Sequence, residues 1–433
     1  MTRLLISTLA LLALAVPAIA QDDAGGAPSF SEGDVITMDQ IDKLKPFLPD
    51  EFWSNRDFFF YEGMQLEIGP ANFDYSPPPV YKDATKKFSD QVRLGPESSL
   101  ENYRAGQPFP MDKIDCKGDP EAGAKIAWNF MRRWGGAGGK ARFYYSYWDR
   151  GEELPLYYEG NSSSVSLAFR PETEYDATGG DIFRGEKRYT AGGPHVEAPF
   201  DARGIMLLTY RYKDSYNPAA TAKNDDTWVY VPTLRRVRRI STAQRTDAVS
   251  GTDFTFDDLF SFNGVVPQYE WECLGEQDVV APVNSKQMAF PYNRDHNFGP
   301  YGLSFADDRW ELRKAVKIRF VPNAADHPYK YKDIYIDVNS MEPLYSFAYD
   351  RKGELWKILW HNHRWSDAEG FEEYVGWEGV EEPRDLGVVS DIIVNVQTGT
   401  GNRIEFWDVS GTPMKSKGKI RRFIDVGRLT KGR

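Results

Sequence analysis

Cysteine and histidine are both scarce in this chain. Two cysteines in 433 residues, Cys116 and Cys273, rule out a scaffold held together by many disulfides. They either pair, closing a loop that contributes at most about 5 kcal/mol, or stand apart as two buried thiols. Of the five histidines, His361 and His363 lie two apart on an expected strand and would share a face. No other His or Cys lies nearby, so no metal and no cofactor is expected. His195, His296 and His327 fall in loops rich in Gly, Pro and Asp, where a solvated side chain is expected. There is no phosphate loop and no GxGxxG. A nucleophile-elbow search finds just Gly302-Leu303-Ser304-Phe305-Ala306, which lacks the final glycine and a strand-to-helix setting. Basic residues do not dominate: 53 Lys and Arg against 64 Asp and Glu give a net charge of −11, so nucleic acid is not an expected partner. After the first twenty residues no apolar run is long enough to span a membrane.

What is abundant is aromatic: 12 Trp, 24 Tyr and 26 Phe, which favours strands and broad apolar surfaces over a helical bundle. Residues 1–20 read as a signal peptide. Arg3 precedes an apolar run to about Val16, and Ala18-Ile19-Ala20 supplies small residues for cleavage. A soluble periplasmic protein is expected. Residues 21–36 are polar and Gly-rich and read as a mobile tail. Residues 37–433 read as a single β domain with a helical and extended arm at 37–140. In that arm, Thr37 and Gln40 make a capping box before Ile41 and Leu44. Trp53–Phe88 shows no dominant period, and Pro77-Pro78-Pro79 suits a polyproline segment. Asp119, Pro120, Ile126, Phe130 and Trp134 mark a helix over 119–134, stopped by Gly135-Gly136.

Strand signals then follow in series: Ala141–Trp148, Val165–Phe169, Ile205–Tyr212, Met288–Tyr292, Val316–Phe320 and Ile334–Val338. Tyr345–Tyr349 and Leu355–His363 flank a turn with Gly353. Ile392–Val396 and Ile404–Trp407 flank a Gly-rich turn at 398–402. No βαβ rhythm is present. The pattern predicts a mainly β, α+β fold: a large curved antiparallel sheet or half-barrel, its concave apolar face covered by helices. The basic end from Lys415 to Arg433 reads as solvated.

The most distinctive stretch is Asp225–Phe262. Thr227–Val231 and Leu234–Ile240 form an expected hairpin carrying Arg235, Arg236, Arg238 and Arg239. Asp247, Asp253, Asp257 and Asp258 follow closely. Thr255 to Asp258 is a near capping box that would start a short helix with Phe256, Leu259 and Phe260. Three roles are open for the arginines: internal ion pairs with these aspartates, an anionic headgroup or carboxylate site at a cavity mouth, or a docking surface for a partner. The candidate ligand-binding set is Trp228, Tyr230, Arg236, Arg238, Asp253, Phe254, Phe256 and Phe260. The aromatic members would be cavity wall and flap.

This stretch resembles the W-x-Y-x-P-x-x-x-R-x-R-R-I … G-x-D-F-x-x-x-D-L signature of outer-membrane lipoprotein-sorting (LolA-like) proteins. The residues that carry it run from Trp228 to Ile240 and from Gly251 to Leu259. The wider text resembles the secreted bacterial family called domain of unknown function 1329. Its matching pieces are Leu44–Leu48, Pro77–Tyr81, Gln91–Leu94, Gly106–Pro110, Ala124–Trp134 and Asn395–Gly399. The resemblance implies a half-barrel around a hydrophobic cavity. It also implies a periplasmic factor linked with resistance-nodulation-division exporters and an outer-membrane protein. It supplies no catalytic residue. The expected function is a non-enzymatic carrier for a hydrophobic or amphipathic small molecule. Two alternatives are a secreted hydrolase on carbohydrate or ester substrates, requiring facing carboxylates or a Ser–His pair, and an assembly protein without a small ligand.

Overall fold

Period-two alternation is realised over almost the whole second half of the chain. The computed structural model describes residues 27–150, 152–171, 179–240, 245–286, 297–366, 384–410 and 416–431. The segment read as a signal peptide (residues 1–20), residues 21–26 of the expected tail, Met288–Tyr292, His296 and Lys415 lie outside them. Two short strands open the chain, β1 (Val35–Ile36) and β2 (Leu66–Ile68); β3 (Arg93–Leu94) and β4 (Leu100–Glu101) make a separate two-stranded sheet. The long strands are β5 (Lys140–Asp149), β6 (Glu152–Ser166), β7 (Arg188–Ala198), β8 (Met206–Tyr212), β9 (Asp226–Val231) and β10 (Arg236–Ile240). They continue with β11 (Tyr269–Pro282), β12 (Arg309–Pro322), β13 (Tyr329–Asp337), β14 (Pro343–Asp350), β15 (Leu355–Trp365), β16 (Leu386–Asn395) and β17 (Thr400–Ser410).

Fifteen strands form one sheet in the order β1-β2-β12-β13-β14-β15-β16-β17-β5-β6-β7-β8-β9-β10, with β11 on the other side of β12. Pairing is antiparallel except between β2 and β12. The sheet is curved and does not close: among the described residues β10 pairs with β9 alone and β11 with β12 alone. Turn chemistry accounts for the hairpins, as Gly353 (φ 89°) and Gly399 (φ 78°) take the left-handed conformation between β14 and β15 and between β16 and β17.

β13 to β17 are buried on both faces. One face carries the arm: Phe52 stacks on Phe59 at 4.1 Å and meets the edge of Trp360 at 5.0 Å, in a cluster with Trp310, Tyr345 and Phe347. The tail is packed from Phe30 onward, whose ring lies 5.5 Å from Phe47, so the expected mobile tail ends before it. Proline misled the reading of the arm. Pro79 opens the helix α2 (Pro79–Phe88), because a fixed φ suits a first helical turn, while Pro78 before it keeps the extended backbone of a polyproline segment (φ −65°, ψ 162°). It follows α1 (Asp50–Ser54). Thr37 bonds the Asp39 side chain instead of capping, and Met38–Lys43 is a 3-10 helix.

The opposite face carries α3 (Ala122–Met131), which packs Ile126 and Phe130 with Trp271, Ile318 and Ile334. It begins later than expected: Asp119 takes the Glu121 N–H in a turn of its own, and Trp134 lies past the helix end. A Cβ on Gly123 would sit 2.6 Å from the Glu272 backbone, so glycine is what allows this helix to touch β11. Cys116 and Cys273 form a disulfide that ties the lead into α3 to the same strand. The basic C-terminus is not merely solvated. α4 (Lys417–Phe423) and the turn after it bury Ile420, Ile424 and Leu429 against Leu208 and Tyr210 of β8.

Candidate functional site

The connection from β10 to β11 crosses the face of β13–β17 on the α3 side. We call residues 249–263 the strap. Its polar residues Thr255, Asp258 and Ser261 recur every third position along a 3-10 stretch, Phe256–Ser261, and all three are buried. Left-handed backbone at Phe260 (φ 51°) and Ser261 (φ 69°) then turns the chain toward β11. The short helix expected from the capping box is therefore broken at Leu259 and Phe260, and the Thr255 hydroxyl donates to the Asp258 carboxylate at 2.9 Å.

Asp258 is the centre of this arrangement. Lys332 of β13 donates to its Oδ1 at 2.9 Å, and Lys357 of β15 approaches Oδ2 at 3.3 Å. Tyr329 donates to Oδ2 at 2.6 Å. All four side chains are buried. Burial alone would raise the Asp258 pKa, but the two ammonium groups and the tyrosine hydrogen bond hold it well below the usual carboxylate range. Burial lowers the Lys332 pKa, against the pull of Asp258. Lys357 also donates to the Asp253 carbonyl at 2.7 Å. The Asp253 carboxylate takes hydrogen bonds from Asn395 at 2.7 Å and Thr400 at 2.6 Å, and its N–H bonds Asn402. Phe254 packs beside these with Tyr145, Leu359, Ile393 and Ile404.

Further along, Ser261 Oγ lies 2.6 Å from His361 Nε2, and His361 Nδ1 lies 2.5 Å from Asp391 Oδ1. His361 and Asp391 are directly paired residues of β15 and β16. His361 and His363 are buried, with ring centroids 6.4 Å apart, and His195 sits on β7 rather than in a loop. Among the described residues no three His, Cys, Asp or Glu side chains stand close enough to hold a metal ion. Near His363, Glu342 accepts from Arg133 at 2.7 Å. Burial pushes its pKa up to about 7, despite the Arg133 guanidinium. A raised carboxyl pKa means the folded state holds the proton more tightly. Native stability attributable to Glu342 should therefore fall as pH rises from about 4.5 to about 7, by about 3 kcal/mol, and stay level above. Urea unfolding of the wild type and Glu342→Gln across that window checks this: the gap between the two must shift in favour of Glu342→Gln as pH rises.

The structure divides the candidate ligand-binding set. Asp253, Phe254 and Phe260 lie on the strap, with Phe256 at its exposed edge. Trp228 and Tyr230 belong to the distant cluster under α4. Arg236 and Arg238 are exposed on β10, far from Asp253 and Asp258 in the sheet order. The internal ion pairs expected of the arginine hairpin do not form as read: Arg239 pairs with Asp226, Arg245 bridges Asp225 and Asp257, and Asp258 pairs with lysines. Lys332, Lys357, Ser261 and Asp391 are absent from the residues expected from the sequence, and His361 enters there only beside His363. Period two places Lys332 in the inward register of Ile334 and Ile336, and Lys357 in that of Leu359, a signal present in the text. On this face of the sheet the cover is the strap as well as α3. A cavity between α3 and the β7–β8 side, lined by Trp128, Tyr189, Arg211, Tyr216 and Val266, holds about 10 Å³, room for one water.

The model of the family described as protein of unknown function DUF1329 matches residues 35–407. The chain belongs to this family. The strap, the two lysines and the Ser261–His361–Asp391 set all fall inside the DUF1329 match. An uncharacterized protein of Pseudomonas aeruginosa is 23% identical over 324 residues, covering 71% of this chain and 64% of that protein, less than two thirds of its length. Among solved structures, one titled as an outer membrane lipoprotein-sorting protein domain from Vibrio parahaemolyticus superposes with a TM-score of 0.46 and 18% identity, over 72% of this chain and 100% of its own. A DUF1329 family protein from Desulfovibrio piger gives 0.46 and 16%, over 72% and 99%.

Proposed function

We propose that this DUF1329 protein is a periplasmic carrier for an anionic amphiphile, and that the strap is the self-made occupant of its binding face. The observation that carries this reading is the convergence of two buried lysines, Lys332 and Lys357, on one carboxylate that belongs to a crossing loop and not to the sheet. A buried lysine pair needs an anion nearby. Asp258 supplies one in the resting protein; a carboxylate or phosphate headgroup has the same chemistry. Leu359, Ile393, Ile404 and Phe143 lie beside this point under Phe254 and would receive the chain of the guest. No helix among the described residues is long and apolar enough to cross a membrane, in keeping with a carrier that moves between membranes. On this reading the cargo is handed to or taken from an export system, for which the resistance-nodulation-division class and an outer-membrane partner are the candidates.

The test uses delipidated full-length protein, a fluorescent long-chain fatty acid, and the matching fatty alcohol. The acid should bind with a dissociation constant of about 1 μM. Asp258→Asn should bind it about tenfold more tightly, because the lysines then lack their internal anion, while the alcohol should be indifferent to the substitution. Failure of both proteins to bind the acid would sink the carrier reading.

A further inference from the structure

We propose that Ser261, His361 and Asp391 form an acyl-transfer site for carboxylic esters, with Ser261 as the nucleophile. This goes beyond carriage and departs from the expectation of a protein without chemistry. Three segments far apart in sequence bring a hydroxyl, an imidazole and a carboxylate into one hydrogen-bonded line, at 2.6 Å and 2.5 Å, in the order that activates a serine. The sheet register itself fixes His361 against Asp391. Ser261 comes to them on left-handed backbone (φ 69°), a strained conformation for a non-glycine residue that clusters at sites where a side chain must be aimed. The Ser261 hydroxyl also donates to Ser346 Oγ at 3.0 Å, a second partner that it releases when its proton passes to His361. All of these groups are buried, so their electrostatic coupling is undiluted by solvent. Nor is the cluster internally complete: Asp391 Oδ2 and Glu342 Oε2 are buried acceptors with no hydrogen-bond partner among the described residues.

The chemistry balances without a cofactor. Ser261 Oγ attacks the ester carbonyl carbon while its proton passes to His361 Nε2, and Asp391 holds the Nδ1 proton of the imidazolium. Collapse breaks the bond to the alcohol oxygen, which leaves with the proton from His361. Water repeats the sequence on acyl-Ser261, releasing the carboxylic acid and restoring the serine. Ser261 is closed off in this conformation, so an ester reaches it when the neighbouring Phe260 side chain swings aside with the Ser261 backbone held in place.

An alkyl fluorophosphonate, a general probe of activated serines, tests this on the full-length protein. Intact mass and peptide mapping should show one adduct per chain, on Ser261. The adduct should vanish in Ser261→Ala, and labelling should slow by at least about a hundredfold in His361→Gln and in Asp391→Asn. If a variant fails to fold by near-ultraviolet circular dichroism, the wild-type peptide map decides alone. A wild-type protein that takes no adduct, or takes it on another residue, overturns the proposal, as does wild-type labelling in a folded His361→Gln. Fatty-acid binding is measured separately, so this proposal and the carrier reading can fail independently.

Discussion

Asp258→Asn should lower the stability of the folded protein by about 3–5 kcal/mol, the range found when one member of a buried ion pair is removed. The amide keeps the shape and can still take the Tyr329 hydrogen bond. It leaves Lys332 and Lys357 in a dry site without the one carboxylate that both of them touch. The measurement is urea unfolding followed by tryptophan fluorescence, with the slope of the transition used to check that a single cooperative unit is lost. The pH dependence has a definite sign. The folded-state pKa of Asp258 is depressed, so its contribution is complete above the unfolded value of about 3.9 and is lost progressively as pH falls below it. Wild type and Asp258→Asn should therefore converge in stability in strong acid and stand furthest apart at neutral pH. A second variant, Lys332→Met with Lys357→Met and Asp258→Leu, removes the whole set. It should recover most of the loss, because buried ion clusters can be replaced by apolar groups of similar volume at little cost. If the single substitution were as stable as wild type at pH 7, the strap would not be clamped by these lysines.

Removing the disulfide should have a comparable effect. Cys116 and Cys273 are 157 residues apart, and the bond between them restricts a very long loop of the unfolded chain. Chain entropy puts the stabilisation near about 5 kcal/mol, with about 2–5 kcal/mol observed when native disulfides are removed. Cys116→Ala with Cys273→Ala, compared with wild type in urea, measures it; dithiothreitol added to the wild type should reproduce most of the change. The consequence should be local before it is global. Proteolysis should open first at residues 110–120, which lead into α3, since the helix then depends on Ile126, Phe130 and the Gly123 contact alone to stay on β11. Equal stability of the reduced and oxidised proteins would contradict this.

Much of the sheet was legible in the sequence, and the reason is physical. β12 and β13 alternate apolar and polar residues over Val316–Phe320 and Ile334–Ile336, and β16 passes into β17 through a turn bearing Gly399, so local propensity and burial point the same way. β7 and β11 were hidden. Gly192, Gly193 and Pro194 weaken the signal in β7, and β11 carries charged residues and a bulge at Cys273–Gly275. α2 was hidden by the prolines at its start. The strap was recognised as unusual, and Asp258 lies in the motif that marked it, yet its partners were assigned to the wrong side of the molecule. Charge proximity in sequence suggested Arg235–Arg239, whereas the sheet delivers lysines from 74 and 99 residues away. His361 and Asp391 face each other because of a strand register that a single sequence does not state, so the line they form with Ser261 was out of reach.

β17 pairs along its length with β5, joining residues some 250 positions apart. Everything from β5 to β10 thus joins the rest of the sheet through a strand made some 250 residues after β5, and until that strand is made the edge at Lys140–Asp149 has no neighbour on that side. Such a chain should fold slowly, with the pairing of β17 and β5 formed after the local hairpins on either side of it.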